Sequence, residues 1–122
     1  GLVQTRELEY CIRESMDNLN LAGVFTSFAS NCEGMLAVKS IIAAYDLYET
    51  LVERLLDDMT AMMVRLVCTD RKIHMNIQMG FQKEIEAQML SGIELPFGSF
   101  RFEIMDEDAV IDLTITEGGS DE

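Results

Sequence analysis

The amino-acid sequence predicts an α+β two-layer sandwich, in which helices pack on one face of a mixed, mostly antiparallel sheet. Three features predict this fold class. One long apolar helix spans residues 36–56, two alternating runs follow it almost without a loop, and a second pair of alternating runs lies near the C-terminus. The predicted order is helix, strand, long helix, two strands, short helix and two strands.

The first helix and the first strand are predicted within residues 5–30. Residues 5–20 carry apolar side chains at helical spacing, at Leu8, Ile12, Met16 and Leu19. Gly23 is expected to end this helix, because glycine adopts the left-handed backbone conformation at low cost. Residues 24–30, with the sequence VFTSFAS, place alternate side chains on two faces and predict a strand. Residues 31–34 are typical of a turn.

The long helix, LAVKSIIAAYDLYETLVERLL, is predicted to form the centre of the hydrophobic core. Its apolar side chains recur at helical spacing on one face, at Val38, Ile41, Ile42, Tyr45, Tyr48, Val52 and Leu55. The same face is widened by Ala44, Leu47, Leu51 and Leu56. Burial of each such side chain contributes roughly 1.5–3 kcal/mol before conformational entropy is subtracted. We therefore expect most of the core to form around this helix.

Two strands, a short helix and a loop are predicted next. Residues 61–69 and 72–79 predict an antiparallel hairpin around the Asp70–Arg71 turn, because alternate side chains of the second run are apolar. Residues 82–90 predict a short helix. Residues 91–99 contain the only proline of the chain and predict a loop.

A second hairpin is predicted from residues 99–105 and 109–116, which flank a turn at Asp106–Asp108. Its apolar side chains are expected to face one another, with Phe100, Phe102 and Ile104 opposite Ile111, Leu113 and Ile115. Residues 118–122 predict a solvated acidic tail. We find no internal repeat and no linker, so residues 1–122 are expected to form a single domain.

The composition limits the partners that the chain can have. The 122 residues carry a formal net charge of −13, and the nine Lys and Arg residues are scattered singly. A phosphate backbone would be repelled, so no nucleic acid is expected as a partner. No run of residues is long and apolar enough to predict a membrane-spanning helix, and no signal peptide opens the sequence. We expect no membrane contact by this segment.

The cysteines indicate a reducing compartment. Cys11, Cys32 and Cys68 are odd in number, lie far apart in sequence and have no CxxC spacing. This pattern favours reduced thiols in the cytoplasm over a disulfide framework or a zinc site. The sequence begins with Gly1 and not with Met, which indicates processing or tag removal. We therefore expect these residues to be a segment of a longer protein.

The residues give little indication of catalytic chemistry. Glu49 and Glu53 form a like-charge pair four residues apart on the long helix, which predicts a solvated face and no metal site. His74, the only histidine, has no ligand or triad partner at a suitable spacing in the sequence. No arrangement of Ser, His and Asp, of Cys and His, or of phosphate-binding glycines is present. We predict no catalytic residue.

Part of the sequence resembles a known family. Residues 46–56, DLYETLVERLL, resemble the N-box helix of the ATP-binding domain of sensor histidine kinases, which is typically written E/N-L-x-x-N-A. The runs MMVRLVCTD and KIHMNIQMG then occupy the place of the strand pair that leads into the family's D-x-G-x-G box. The wider family is the GHKL or Bergerat fold. The resemblance covers residues 5–119 and implies the histidine kinase-like ATPase fold.

In that family the N-box carries an acid or amide and, four residues later, an asparagine that holds the Mg²⁺ of ATP. Alignment of TLVERLL with ELVENAL places these two positions at Thr50 and Arg54. A shift of one residue would instead place them at Glu49 and Glu53, but Arg54 would then occupy a small buried position. We prefer the first alignment. A guanidinium only donates hydrogen bonds and is always charged, so Arg54 cannot be a ligand of Mg²⁺.

The second nucleotide-binding motif of the family is missing. The sequence reads Gln78-Met79-Gly80-Phe81 where D-x-G-x-G is expected, so the adenine-binding aspartate is absent and only Gly80 remains of the glycines. Residues 81–97 are too short and too poor in glycine for the family's ATP lid. The resemblance therefore implies a degenerate domain without the lid. Its vestigial nucleotide-pocket positions are Glu49, Thr50, Glu53, Arg54 and Gly80.

Three functions are compatible with the sequence. The first is a non-catalytic histidine-kinase-like domain of a bacterial signal-transduction protein, which needs no cofactor and acts through contacts with another protein or domain of the signalling system. The second is the active ATP-binding domain of a divergent sensor histidine kinase, with ATP and Mg²⁺ as cofactors and Glu49 or Glu53 in the N-box role. The third is an unrelated α+β protein-interaction domain. We expect the first, with no enzymatic activity of the domain by itself; the oligomeric state is not indicated.

Overall fold

A computed structural model of the protein describes residues 1–117. Its two α-helices are α1 (Arg6–Leu21) and α2 (Val38–Leu55). Its strands are β1 (Leu2–Gln4), β2 (Phe25–Cys32), β3 (Met35–Ala37), β4 (Met59–Cys68), β5 (Lys72–Phe81), β6 (Ser99–Met105) and β7 (Asp108–Thr116). Two short 3₁₀ turns span Leu56–Asp58 and Ala87–Leu90. The predicted acidic tail at 118–122 lies outside the described residues.

The main sheet has five strands in the order β2-β4-β5-β7-β6. Strands β2 and β4 pair in parallel, and the three other pairs are antiparallel. The parallel pair exists because α2 carries the chain across the sheet between these strands, as a parallel pair requires. Both helices bury one side against the sheet. The predicted α+β sandwich with a mixed, mostly antiparallel sheet is confirmed.

Helix α1 and the strand after it follow the sequence pattern. The four apolar residues predicted to face the core in α1 are all buried, namely Leu8, Ile12, Met16 and Leu19. Gly23 follows the helix with a φ of 101°, in the left-handed region where a side chain would be strained. Strand β2 continues to Cys32, two residues beyond the prediction, because its pairing with β4 extends to Cys68.

Helix α2 begins two residues later than predicted, and its buried face is narrower than predicted. The residues that it buries are Ser40, Ala43, Ala44, Leu47, Tyr48, Leu51 and Leu55. Val38, Ile42 and Leu56 were expected in the core and are instead exposed, Ile42 by 52%. Ile42 lies on the side of the helix that faces residues 92–97, where the cavity described below is open to solvent.

The prediction of a short helix at residues 82–90 is wrong. Only Ala87–Leu90 form a 3₁₀ turn, and the residues before it are extended or irregular. The backbone N–H of Gln82 donates to the carbonyl of Asp58 at 2.8 Å, and Lys83 Nζ lies 3.5 Å from Asp58 Oδ2. These contacts hold the beginning of the segment against the 3₁₀ turn that follows α2.

Strands β1 and β3 were not predicted. They have three residues each and pair antiparallel to form a separate two-stranded sheet beside the N-terminus of α2. Strands this short leave no periodic pattern in a sequence. Residues 36 and 37, which belong to β3, were interpreted as the beginning of the long helix.

The second hairpin forms with a shorter turn than predicted. Met105 pairs with Asp108, so two residues connect the strands, and the first of them, Asp106, has a φ of 54°. This turn fixes the register, which places Phe100 opposite Leu113, Phe102 opposite Ile111 and Ile104 opposite Ala109, so Ile115 lies opposite none of the three.

The N-terminus of α2 is capped by a residue from the far end of the chain. The backbone N–H of Ala37 donates to Glu117 Oε2 at 2.9 Å, and the hydroxyl of the fully buried Ser40 donates to the same oxygen. The first turn of α2 contains no acidic residue of its own. The Glu117 carboxylate therefore accepts from one backbone N–H at this end and complements the positive end of the helix dipole.

Replacement of this carboxylate is expected to destabilise the protein. Glu117→Ala leaves the Ala37 N–H and the buried Ser40 hydroxyl without their acceptor, so the free energy of unfolding should fall by about 1–3 kcal/mol. Urea unfolding measures the change. The exposed Glu103 of β6 provides the control, since Glu103→Ala should change stability by no more than about 0.5 kcal/mol. Equal effects of the two substitutions would contradict the capping role.

Candidate functional site

The candidate site is a cavity of about 660 Å³ between α2 and residues 92–97. This volume lies within the range of about 300–1,000 Å³ that is usual for small-molecule sites. Its walls are largely apolar, with charged groups at intervals. The α2 side is formed by Lys39, Ile42, Ala43, Asp46, Leu47, Thr50 and Arg54, and the opposite side by Gly92, Ile93, Glu94, Pro96 and Phe97.

The polar residues of α2 reach the cavity because of their spacing. Asp46, Thr50 and Arg54 are four residues apart, so their side chains form one stripe along the helix. The core-facing residues Leu47 and Leu51 lie beside this stripe and fix its orientation. Burial of the apolar face of α2 against the sheet thus turns the stripe toward the segment that follows β5.

Arg54 connects α2 to the opposite wall of the cavity. Its guanidinium donates to the carbonyl of Met89 at 3.4 Å and to the carbonyl of Ser91. The hydroxyl of Ser91 in turn donates to the carbonyl of Gln88 at 2.8 Å, which closes the 3₁₀ turn. Since a guanidinium has donors in a fixed, planar arrangement, one side chain can hold two backbone carbonyls at once.

The charges around the cavity balance. Lys39 and Arg54 are positive, and Asp46 and Glu94 are negative. The ammonium of Lys39 lies 5.3 Å from the centroid of the Phe97 ring, a cation–π contact that forms a second connection between α2 and the opposite wall. Because the cavity has two side chains of each charge, its net charge does not favour a highly charged anion.

The residues predicted as vestigial nucleotide-pocket positions do not all meet at the cavity. Thr50 and Arg54 line it, whereas Glu49, Glu53 and Gly80 are not among the described residues that do. Glu49 lies toward α1, because its charge adds to the effects of burial, Glu7 and Glu14 that raise the pKa of Cys11. Gly80 is held within the sheet, paired with Ala61 of β4 and with Asp108 of β7.

Several residues of the cavity were missed by the sequence analysis. Lys39 and Asp46 of α2, and Glu94 and Phe97 of the opposite wall, were not singled out. The position of Asp46, four residues before Thr50, could have indicated that it shares the same side of the helix. No comparable signal exists for Glu94 and Phe97, because they lie on an irregular segment whose path depends on its contacts with α2.

The other polar cluster lies on the outer face of the sheet. His74 Nε2 is 3.0 Å from Asp112 Oδ1, and the side-chain amide of Asn76 donates to the same oxygen at 3.2 Å. Partial burial opposes ionisation of Asp112, but these two hydrogen bonds outweigh it and lower the pKa of its carboxyl group. Asp112 is thus a partner of His74 that the sequence spacing did not reveal. Within residues 1–117, no group of three or more His, Cys, Asp or Glu side chains could hold a metal ion.

The connection through Arg54 gives a testable expectation. Arg54→Met keeps the length of the side chain and removes its donors, so hydrogen exchange of backbone amides in residues 89–93 should become several-fold faster. The free energy of unfolding should fall by no more than about 1 kcal/mol, because Arg54 is exposed. Arg65→Met on the outer face of the sheet is the control and should leave exchange in this segment unchanged. An unchanged exchange rate in Arg54→Met would show that other contacts hold the segment.

Comparison with known proteins supports one fold. No family model matches the sequence. No curated protein matches it either. Among solved structures, the nucleotide-free catalytic domain of the histidine kinase ThkA is similar with a TM-score of 0.59 and 12% identity, over 95% of this chain and 94% of that one. The Acinetobacter baumannii histidine kinase AdeS is similar with a TM-score of 0.63 and 9% identity, over 95% of this chain and 66% of that one.

A third similar structure is ThkA in complex with the response regulator TrrA. Its TM-score is 0.56 at 11% identity, and the match covers 97% of this chain and 42% of that one. The protein therefore has the fold of histidine kinase catalytic domains, as the resemblance implied. None of its described helices could span a membrane.

Proposed function

We propose that the protein is a non-catalytic, histidine-kinase-like domain of a bacterial signal-transduction protein in the cytoplasm, and that it acts through contacts with another protein. The observation on which the proposal chiefly rests is Arg54. Its guanidinium lies on the side of α2 that lines the cavity, and its Nη1 atom donates to the carbonyls of Met89 and Ser91. This is the position that the N-box alignment assigns to the ligand of Mg²⁺.

The residues present do not fit a magnesium–nucleotide complex. Mg²⁺ is held by oxygen ligands in a near-octahedral arrangement, and Arg54 offers only N–H donors and a permanent positive charge. The two carboxylates at the cavity, Asp46 and Glu94, share it with the positive charges of Lys39 and Arg54. The cavity therefore does not provide for phosphoryl transfer through a magnesium–nucleotide complex.

The end of β5 likewise does not fit the binding of an adenine base. Gly80 stays in register with Asp108, and the N–H of Phe81 donates to the carbonyl of Glu107 at 2.9 Å. The strand therefore remains part of the sheet to its last residue and does not open into a glycine-rich binding loop. The residues beyond it are Gln82 and Lys83, so no aspartate follows the strand directly.

The other two hypotheses have less support. A divergent active kinase was expected to use Glu49 or Glu53, yet neither is among the described residues that line the cavity. An unrelated interaction domain was expected to differ in topology, whereas histidine kinase structures match 95% of the chain. The glutamates can still be tested directly, because Glu49→Gln should leave any phosphotransfer by the parent protein unchanged under our proposal.

Isothermal titration calorimetry with ATP tests the lack of catalytic nucleotide binding. We expect no saturable heat up to about 1 mM nucleotide, with or without Mg²⁺. Arg54→Asn replaces the guanidinium by a side-chain amide, the group that the family has at this position. It is the matched variant that tests the role of the guanidinium. A saturable, magnesium-dependent heat with the unchanged protein would contradict the proposal.

Protein partnership is tested separately. Because the ThkA structure includes a response regulator, the purified receiver domain of a response regulator from the same genome is the first partner to titrate. We expect saturable binding that does not depend on ATP. Ile42→Asp changes the exposed apolar residue of the cavity wall and tests whether α2 contributes to the contact. Binding that requires ATP would contradict a non-catalytic role.

A further inference from the structure

We propose that Cys32 and Cys68 are an oxidisable dithiol pair, which a hydroperoxide converts into an intramolecular disulfide. The two cysteines are 36 positions apart in sequence, yet they are the last residues of two neighbouring strands, β2 and β4. Both carry free thiols, and both are buried, Cys32 by 91% and Cys68 by 98%. The proposal goes beyond the proposed function and does not depend on it.

The strand register brings the two thiols together. Cys32 lies directly opposite Cys68 in the parallel pair. Neighbouring strands are about 4.7–4.9 Å apart, and the Cα atoms of a disulfide are usually about 4.4–6.8 Å apart. Opposed residues of a parallel pair point to the same face of the sheet. A disulfide can therefore form without a change of register.

Each cysteine is also among the residues that line a surface cleft large enough for a small oxidant. Cys32 lines a cleft of about 350 Å³ with Thr5 and Arg6, at the N-terminus of α1. Cys68 lines a second cleft of about 410 Å³, which shares Glu33 and Gly34 with the first. The N-terminus of a helix favours a nearby thiolate over a thiol. The Thr5 hydroxyl, which is buried and has no hydrogen-bond partner among the described residues, is a further polar group at this end of α1.

The environment distinguishes the two sulfur atoms. A hydrogen bond from the Cys68 thiol lowers the pKa of the Cys32 thiol, against the opposing effects of burial and the Glu9 charge. The same hydrogen bond, together with burial, raises the pKa of Cys68. Cys32 is thus the more readily ionised of the two, and Cys68 holds its proton. Cys32 is also the more exposed of the two, by 9% against 2%, so it is assigned as the sulfur that attacks and Cys68 as the one that resolves.

The oxidation then proceeds in two steps. The Cys32 thiolate attacks one oxygen of the hydroperoxide, the O–O bond breaks, and Cys32 becomes a sulfenic acid as hydroxide or alkoxide leaves. The Cys68 sulfur next attacks the sulfenic sulfur, the S–O bond breaks, and the Cys68 proton leaves with the hydroxide as water. Two thiols lose two electrons in total, and the hydroperoxide gains them. The new bond ties the edge strand β2 to β4.

The experiment uses the Cys11→Ser protein, which removes the exposed third thiol. The folded protein is treated with hydrogen peroxide, and its intact mass and its alkylatable thiols are measured. We expect the mass to fall by two hydrogens, both thiols to become unreactive toward alkylation after denaturation, and both to return after reduction. In Cys11→Ser/Cys68→Ser, Cys32 should form a sulfenic acid that dimedone traps.

Two controls make the result decisive. Cys11→Ser/Cys32→Ser should form little sulfenic acid at Cys68 in the same time, because Cys68 lacks the activation of Cys32. Oxidation in the presence of urea reports the reactivity of the unfolded chain. The proposal is overturned if both thiols of the folded Cys11→Ser protein remain alkylatable, or if the disulfide forms only in urea.

Discussion

Tyr48→Ala is expected to lower the free energy of unfolding by about 3–5 kcal/mol, a large part of the stability of a domain of this size. Tyr48 is fully buried on α2 at the centre of the core. Its ring stacks on that of Tyr45 with centroids 5.9 Å apart, and its hydroxyl is 2.9 Å from Ser15 Oγ of α1. Truncation to alanine removes both contacts and leaves a cavity between the two helices and the sheet.

Tyr48→Phe separates the hydrogen bond from the packing. Burial raises the pKa of Tyr48 to about 12, so the hydroxyl is neutral near pH 7 and forms an uncharged hydrogen bond with Ser15. Loss of that bond should lower the free energy of unfolding by about 1 kcal/mol. Urea unfolding measures both variants. Tyr10→Ala on the exposed side of α1 is the control, with an effect within about 0.5 kcal/mol. A loss of less than about 2 kcal/mol in Tyr48→Ala would contradict this account of the core.

Gly98→Ala is expected to be the second most damaging of these changes. Gly98 has a φ of 87°, which raises the energy of any residue with a Cβ by about 1–2 kcal/mol. A Cβ at this position would lie 2.6 Å from the Thr114 carbonyl oxygen and 3.2 Å from Ile115 Cα, both atoms of the backbone of β7. Since backbone cannot rotate away, relief of the clash should cost a further 1–3 kcal/mol or so.

Gly92 provides a matched control for the contribution of the backbone conformation. It has a φ of 77°, yet no atom lies within 4 Å of the position that its Cβ would take. Gly92→Ala should therefore lower the free energy of unfolding by only about 1–2 kcal/mol. Urea unfolding of the two variants gives the difference, which reports the contact between residue 98 and β7. Equal losses of stability would show that the contact with β7 does not disfavour a side chain at residue 98.

Most of α2 could be predicted from the sequence, but the width of its buried face could not. Apolar residues occur on more than one side of the helix, so a periodic pattern alone is compatible with several buried faces. The sheet selects the face that contains Leu47, Leu51 and Leu55, and it leaves Ile42 at the cavity. Strands β4 and β5 were predicted more closely, because strict alternation of buried and exposed side chains specifies which face is buried.

The segment between β5 and β6 was the least predictable. Its polar and apolar residues fit a short helix, but its first residues Gln82 and Lys83 contact Asp58 instead. Such contacts join residues about 25 positions apart, and local sequence preference does not include them. The wall of the cavity opposite α2 depends on this segment, so Glu94 and Phe97 could not be assigned to the site in advance.

Of the residues predicted for a vestigial nucleotide pocket, only Thr50 and Arg54 line the cavity. Thr50 and Arg54 were preferred over Glu49 and Glu53 because the latter alignment placed Arg54 at a small buried position, and Arg54 is exposed and lines the cavity. Whether these positions are remnants of a nucleotide pocket remains our proposal. The fold could be inferred because it depends on the order and pattern of elements, whereas binding depends on individual side chains.

A titration of the ¹⁵N-labelled protein with ATP, followed by ¹H–¹⁵N NMR with and without Mg²⁺, tests the central claim most directly. The amide signals of α2 between Lys39 and Arg54, and of residues 92–97, report on both walls of the cavity. Our account predicts that Mg²⁺ produces no saturable, ATP-dependent shift of these signals. Saturable shifts on both walls that require Mg²⁺ would contradict it.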